Sequence, residues 1–395
     1  MNAYLKNGKI YIGNILYFLL LIYPTLVLGI AYIFKGDNVT TFEIILFALT
    51  IILCCMCCKY KINYFTVLQI CIVLSLLVVS ILREESSTDF LVFVSLMITL
   101  FFFEVFSNRY NLSENFSSYL LDKSKIYYIS QIIFYIILIK SAIENGFQSG
   151  WGTEVLAGPF SLSHKLAYLL TYLVLIGVYL FVKKRSKLAI VFAIVNICLV
   201  LMTAVRTTLF AIAVIVLYFL VKKKAKSIIY VLLIAIIGLV ILQQTNILDA
   251  VILKTDNSRL GGSISNGRPA IFLSSLQYLT NGSSILKYLF GGGISKLYSW
   301  NFHHYGLEIH AHNDFLNIAV CYGLPMLMVF IRQLKIFIYG KNAIWTLLFI
   351  LSLAFFNGFF NYHEAVICMI FIKVFFEYTF NDVVIKIPNL KSFAE

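Results

Sequence analysis

Apolar runs of about 15 to 25 residues recur along almost the whole chain, separated by short polar breaks. No other feature restricts its possible folds so strongly. A bilayer-crossing helix needs roughly 20 predominantly apolar residues. Breaks in hydropathy mark twelve candidate spans, over 11–34, 42–58, 65–82, 90–106, 126–143, 164–182, 188–205, 207–221, 227–245, 314–331, 343–360 and 365–380. Composition closes off the alternatives. The chain is 61% hydrophobic and only 12% charged, whereas soluble domains are about a quarter charged. A soluble enzyme is excluded, and no room remains for a large soluble domain. The expected fold is an all-α polytopic integral membrane protein of about 12 transmembrane helices, with residues 1–395 forming a single membrane domain.

Charge orients these spans. With the N-terminus in the cytoplasm, cytoplasmic segments carry 20 of the 31 basic residues and outer segments carry 10, which satisfies the positive-inside rule. The runs Lys183, Lys184, Arg185, Lys187 and Lys222, Lys223, Lys224, Lys226 are its strongest votes. Both termini are therefore expected in the cytoplasm, and the net charge of +13 reads as membrane orientation, not as a nucleic-acid surface. The apolar run from Tyr11 to Phe34 is too long for a signal-peptide core and lacks a small-x-small cleavage site, so it is expected to remain as the first span. All eight cysteines lie in apolar runs, including the cluster Cys54, Cys55, Cys57 and Cys58, and are expected to pack as small apolar side chains without disulfides. Lys373 and Glu377 are spaced for an i,i+4 pair that snorkels toward the inner surface, a proton relay being the other reading.

The polar remainder gathers outside. Segment 246–312 is the one long connection, a large extracytoplasmic loop in which 269–280 and 283–289 read as short amphipathic helices along the membrane surface, with a flexible turn at Gly291, Gly292 and Gly293. All six histidines (His164, His303, His304, His310, His312 and His363) fall on that outer side. Histidine suits proton transfer near neutral pH, although interfacial polar rings also decorate outer loops. His310-x-His312 with Glu308 offers ligand-type side chains, but no Asp-rich constellation completes a metal site, and no metal or other cofactor is expected. Arg206 sits in the tight outer turn Thr203–Thr208, and Arg268 follows Gly267 just before an amphipathic run. The guanidinium fork matches phosphate oxygens, so two such arginines beside histidines suggest a diphosphate site. Anchoring to lipid headgroups is the alternative for each.

The stretch His312-Asn313-Asp314-Phe315-Leu316-Asn317-Ile318-Ala319-Val320-Cys321-Tyr322-Gly323-Leu324 resembles the signature of the O-antigen ligase and O-antigen/capsular polysaccharide polymerase superfamily. The resemblance extends to the turn ending at Arg206, the pair Gly267-Arg268, the run Leu289–Gly293, and Gly158-Pro159-Phe160 with His164 and Ala167, all in the family's order. It departs at Met326, where the family has a second glycine, and at Val205, where serine is commoner. Pro325 is then the expected source of a helix bend.

The resemblance implies a metal-independent glycosyltransferase of the GT-C type, working on the outer face of the bacterial cytoplasmic membrane. Its donors would be undecaprenyl-diphosphate-linked oligosaccharides. It implies catalytic roles for His312, Arg268 and Arg206, with substrate contacts from Asn313, His310, Arg259, Gly267 and His164. A polymerase of O-antigen or capsule repeat units is favoured. The alternatives are a ligase transferring finished polymer to lipid A-core and a lipid-linked oligosaccharide flippase. The expected partners, besides the bilayer, are a flippase and a chain-length regulator. Asn313 is also placed to cap a helix beginning near Asp314, whose N-terminus would favour neutral His312 as a general base.

Overall fold

The computed structural model describes residues 2–34, 38–58, 64–82, 87–107, 111–150, 153–222, 268–281, 285–305, 309–354, 358 and 362–380. Among these residues the chain forms sixteen helices and one two-stranded antiparallel hairpin. The first half runs α1 (Asn2–Phe34), α2 (Asn38–Cys58), α3 (Tyr64–Leu82), α4 (Ser87–Val105), α5 (Leu112–Asp122) and α6 (Ser124–Asn145). The hairpin β1 (Phe147–Gly150) and β2 (Thr153–Leu156) follows, then α7 (Ser163–Lys184), α8 (Lys187–Met202) and α9 (Arg206–Lys222). The second half comprises α10 (Arg268–Thr280), α11 (Ile285–Phe290), α12 (Ile294–Tyr305), α13 (Asp314–Tyr322), α14 (Leu324–Ile338), α15 (Ala343–Ala354) and α16 (His363–Tyr378).

Helices stand at every expected apolar run except 227–245, which lies outside the described residues. Among the described residues, three segments are long and apolar enough to cross a membrane: Ile12–Phe34, Ser124–Glu144 and Ser163–Lys184. Shorter apolar helices include Thr41–Cys57, Thr66–Val79 and Lys187–Met202. α6 shows why water is the wrong solvent for this surface. It buries Tyr127, Phe134 and Leu138, yet exposes Ile129, Ile132, Ile133, Ile136, Ile139 and Ile143. A helix apolar on both its packed and its open face belongs in lipid, and these helices support an integral membrane protein.

α7 and α16 lie side by side at the centre, both almost fully buried. They run in the same direction, since Tyr168 meets Tyr362 near their starts while Tyr172 and Tyr179 meet Phe371 further along. α8 returns antiparallel to α7 after a two-residue turn in which Arg185 adopts φ 53°. Two ends of the bundle follow from these directions. At one end Tyr32 of α1 donates to Glu144 of α6 at 2.7 Å, and the carbonyl of Gly146 accepts from Ala157 and Gly158 beyond the hairpin. This hairpin end holds the start of α7 and the turn between α8 and α9. At the opposite end Lys184 donates to Ser124 at 2.8 Å, and the Tyr128 and Ser186 hydroxyls meet at 2.7 Å. The basic turns 122–125 and 183–187 thus share the end away from the hairpin.

Several elements differ from the sequence expectation. α5 occupies a polar-looking connection whose apolar residues Leu112, Phe116 and Leu120 recur every four positions, enough to bury one face. Lys373 does not snorkel. It is 1% exposed and donates to the carbonyls of Phe337 and Tyr339 at the end of α14, with Glu377 4.0 Å away. A lysine stem inside the bundle thus supplies the cap that the end of α14 lacks. His363, expected as an interfacial ring, is buried with its Nε2 3.0 Å from the Ser95 hydroxyl. Cys54, Cys55, Cys57, Cys71, Cys198, Cys321 and Cys368 are free thiols.

Candidate active site

The apolar run 314–331 is not one helix. It breaks at Gly323, which adopts φ 89° and ψ 168°, and Pro325 opens the second piece, where its missing N–H costs nothing. The bend therefore comes from Gly323 followed by Pro325. A break strands the last carbonyls of α13 without intrahelical donors. The glycine run fills that gap: Gly292 N–H donates to Val320 O at 2.8 Å, and Gly293 N–H to Cys321 O at 3.1 Å. The backbones meet so closely that a Cβ on Gly291 would lie 2.2 Å from Cys321 O, and one on Gly323 would lie 2.3 Å from Leu289 O. The run 291–293, expected as a flexible turn, is instead buried and locked against the helix break.

The start of α13 is equally determined. Asn313 is its N-cap, as expected, with the side chain accepting from Leu316 N–H at 3.1 Å. One turn on, Asn317 reaches back and accepts the Ala311 N–H at 3.1 Å. His312 is thus held between two pinned neighbours, in the left-handed region at φ 52°. A non-glycine residue there stores roughly 1–3 kcal/mol. Its half-buried ring lies 4.4 Å, centroid to centroid, from that of His310. Upstream, Asn301 donates to Ile309 O at 2.7 Å and accepts from the Ser274 hydroxyl at 3.0 Å, while Trp300 donates to Ser274 O at 3.1 Å. Asn301 and Ser274 are not singled out by the sequence, and Asn317 enters there only as part of the stretch from His312 to Leu324. Polar residues inside otherwise apolar stretches were the available signal.

These bonds orient α10 against α13. Tyr278, near the end of α10, donates to Gly292 O at 3.3 Å, and Gly292 in turn holds Val320 near the end of α13. Ser274, nearer the start, leads through Asn301 to Ile309. The two helices run in the same direction, so the backbone of Arg268, the first residue of α10, lies at the same end as the His312 loop. Within α11, Lys287 donates to Tyr278 O and sits 3.9 Å over that ring. Burial pulls its amine below the ordinary lysine range.

The His312 loop joins the hairpin end of the bundle through Gly358. A Cβ there would lie 2.6 Å from an Asp314 carboxylate oxygen, and its carbonyl accepts from Tyr168 at 3.4 Å. His164, in the first turn of α7, stacks on Tyr362 at 5.9 Å. Arg206 opens α9 at the same end, half-buried, just after Ala204 at φ 51°. A helix N-terminus presents free N–H groups and favours anions, and here Arg206, Arg268 and Asn313 each mark one. His164, Arg206, Arg268, His310, His312 and Asn313 therefore gather at one end. Arg259 and Gly267 lie outside the described residues. Among the described residues, no three His, Cys, Asp or Glu side chains converge as a metal-ion cage.

These observations define a helical membrane protein with cationic helix starts and a fixed histidine loop at one end. Residues 189–331 match the family model described as O-Antigen ligase, which supports placing the chain in the O-antigen ligase/polymerase superfamily. The matched segment contains Arg206, Arg268 and His312. Members of that family are glycosyltransferase-like enzymes acting on lipid-linked oligosaccharides in a membrane. No curated protein and no solved structure matches the chain.

Proposed function

We propose that the protein polymerises polyprenyl-diphosphate-linked oligosaccharide repeat units on the outer face of the cytoplasmic membrane. The observation that carries this reading is the juxtaposition, inside one family-matched segment, of a loop that pins His312 and a helix that starts at Arg268. Neutral His312 takes the proton of an acceptor sugar hydroxyl. The hydroxyl oxygen attacks the donor's anomeric carbon, the bond from that carbon to the diphosphate oxygen breaks, and polyprenyl diphosphate leaves with the electron pair. One displacement inverts the anomeric centre. Arg206, Arg268 and the helix starts they occupy stabilise the charge growing on the leaving group. General-base action at His312 is expected to supply about 10²–10⁴ in rate.

In a reconstituted assay with lipid-linked repeat units, His312→Ala abolishes chain growth while the protein still reaches the membrane. Arg268→Lys keeps the charge but loses the fork, so activity falls. Wild-type ladders from His312→Ala would refute the reading. The description of the matched family favours a second reading, transfer of finished polymer to a lipid acceptor. A deletion strain separates the two: loss of a polymerase leaves single repeats, whereas loss of a ligase leaves full polymer on its polyprenyl carrier.

A further inference from the structure

Apart from the His312 loop, three charged side chains meet inside the bundle where α2, α7 and α16 pack together. Lys165 of α7 forms an ion pair with Glu43 of α2. Glu364 of α16 lies close enough for its charge to act on both. Glu43 is 0% exposed and Glu364 1% exposed. Neither oxygen of Glu364 has a hydrogen-bond partner, nor does the second oxygen of Glu43. Tyr23 of α1, 0% exposed, brings an equally unpartnered hydroxyl into the field of both carboxylates. Among the described residues, Tyr172 of α7 and His363 of α16 also border the cluster. Tyr172 is committed to Leu20 O at 2.7 Å. His363 meets Ser95 of α4, with its ring against Phe47 of α2.

Two ionised carboxylates against one ammonium would leave an uncompensated negative charge in the interior. Paired carboxylates in a shared site resolve this by retaining a proton. The protonated carboxyl then becomes a donor, and the free oxygens of its neighbour are the acceptors this cluster offers. We propose that Glu43 and Glu364 hold one proton between them and form, with Lys165, a charge-neutral proton-binding site distinct from the His312 loop. The site joins α2, α7 and α16. It accounts for two of the three unpartnered carboxylate oxygens with a single ligand, one oxygen carrying the proton and one accepting it.

The test is infrared difference spectroscopy at neutral pH on the full chain in lipid nanodiscs, paired with thermal unfolding. Wild type minus Glu364→Gln shows a protonated-carboxyl stretch, and so does wild type minus Glu43→Gln, because either substitution leaves one carboxylate for one lysine. Glu364→Gln, an isostere of the protonated acid, keeps the wild-type unfolding midpoint. The double variant strands Lys165 and lowers the midpoint by several degrees. Absence of the band in both difference spectra overturns the proposal, since both carboxylates are then ionised. A midpoint for Glu364→Gln as low as that of the double variant also overturns it, because the glutamine would then have removed a charge that the site requires.

Discussion

Replacing Gly323 with alanine tests whether the glycine run and the broken helix form one unit. At an ordinary position Gly→Ala stabilises by about 0.4–1 kcal/mol, by narrowing the unfolded ensemble. Here the sign reverses. Alanine at φ 89° and ψ 168° costs on the order of 1–3 kcal/mol in backbone strain. Its Cβ would also stand 2.3 Å from Leu289 O, so the 289–293 segment must withdraw. Withdrawal takes the Gly292 and Gly293 N–H groups from the carbonyls of Val320 and Cys321, and each carbonyl left buried and unmet costs about 1–3 kcal/mol. The sum is roughly 3–9 kcal/mol, a large share of the 5–15 kcal/mol that stabilises a typical domain. Cys321 is a built-in reporter, being a free thiol only 2% exposed. With the other cysteines replaced by serine, Cys321 is protected from a membrane-permeant maleimide in the parent protein. In Gly323→Ala it labels readily, and the unfolding midpoint drops. A protected Cys321 with an unchanged midpoint would show that the two segments do not depend on each other.

Asn313→Ala removes the N-cap of α13 and costs about 1 kcal/mol; the expected fall in transferase rate exceeds the fall in stability because His312 loses one of its fixed neighbours, and Asn313→Ser restores both. Asn301→Leu deletes the link from Ser274 to Ile309 and is expected to lower the reaction rate with little change in membrane insertion, measured as turnover per folded protein in nanodiscs. Lys373→Met leaves the carbonyls of Phe337 and Tyr339 without their donor, so the unfolding midpoint falls by the equivalent of about 1–3 kcal/mol; a lysine that merely snorkelled would give no change.

Much of the helical framework was legible because membrane-crossing helices advertise themselves by length and apolarity, as Ile12–Phe34 and Ser163–Lys184 do. The cap at Asn313 was legible because capping is local: the side chain and the amide it meets are three residues apart. The bend was partly legible, since Gly323 and Pro325 are breakers two residues apart, but not the partner that makes the break tolerable. Gly292 and Val320 are far apart in sequence, and a glycine run carries no mark of what it will press against. The same holds for Glu43, Lys165 and Glu364, contributed by three separate helices. α5 and α12 went unread because short helices of mixed polarity owe their stability to what they pack on.

The glycine contact also bears on how the protein is made. The donors at Gly292 and Gly293 leave the ribosome before Val320 and Cys321, so the segment that will satisfy the break already exists when the broken helix enters the bilayer. A nascent chain truncated after Ile338 carries both partners, whereas one that begins at α13 carries only the exposed carbonyls. Biogenesis of α13 and α14 thus depends on the order of synthesis. Expressing the two halves of the protein from separate genes, divided between Gly293 and Asp314, places that dependence in trans.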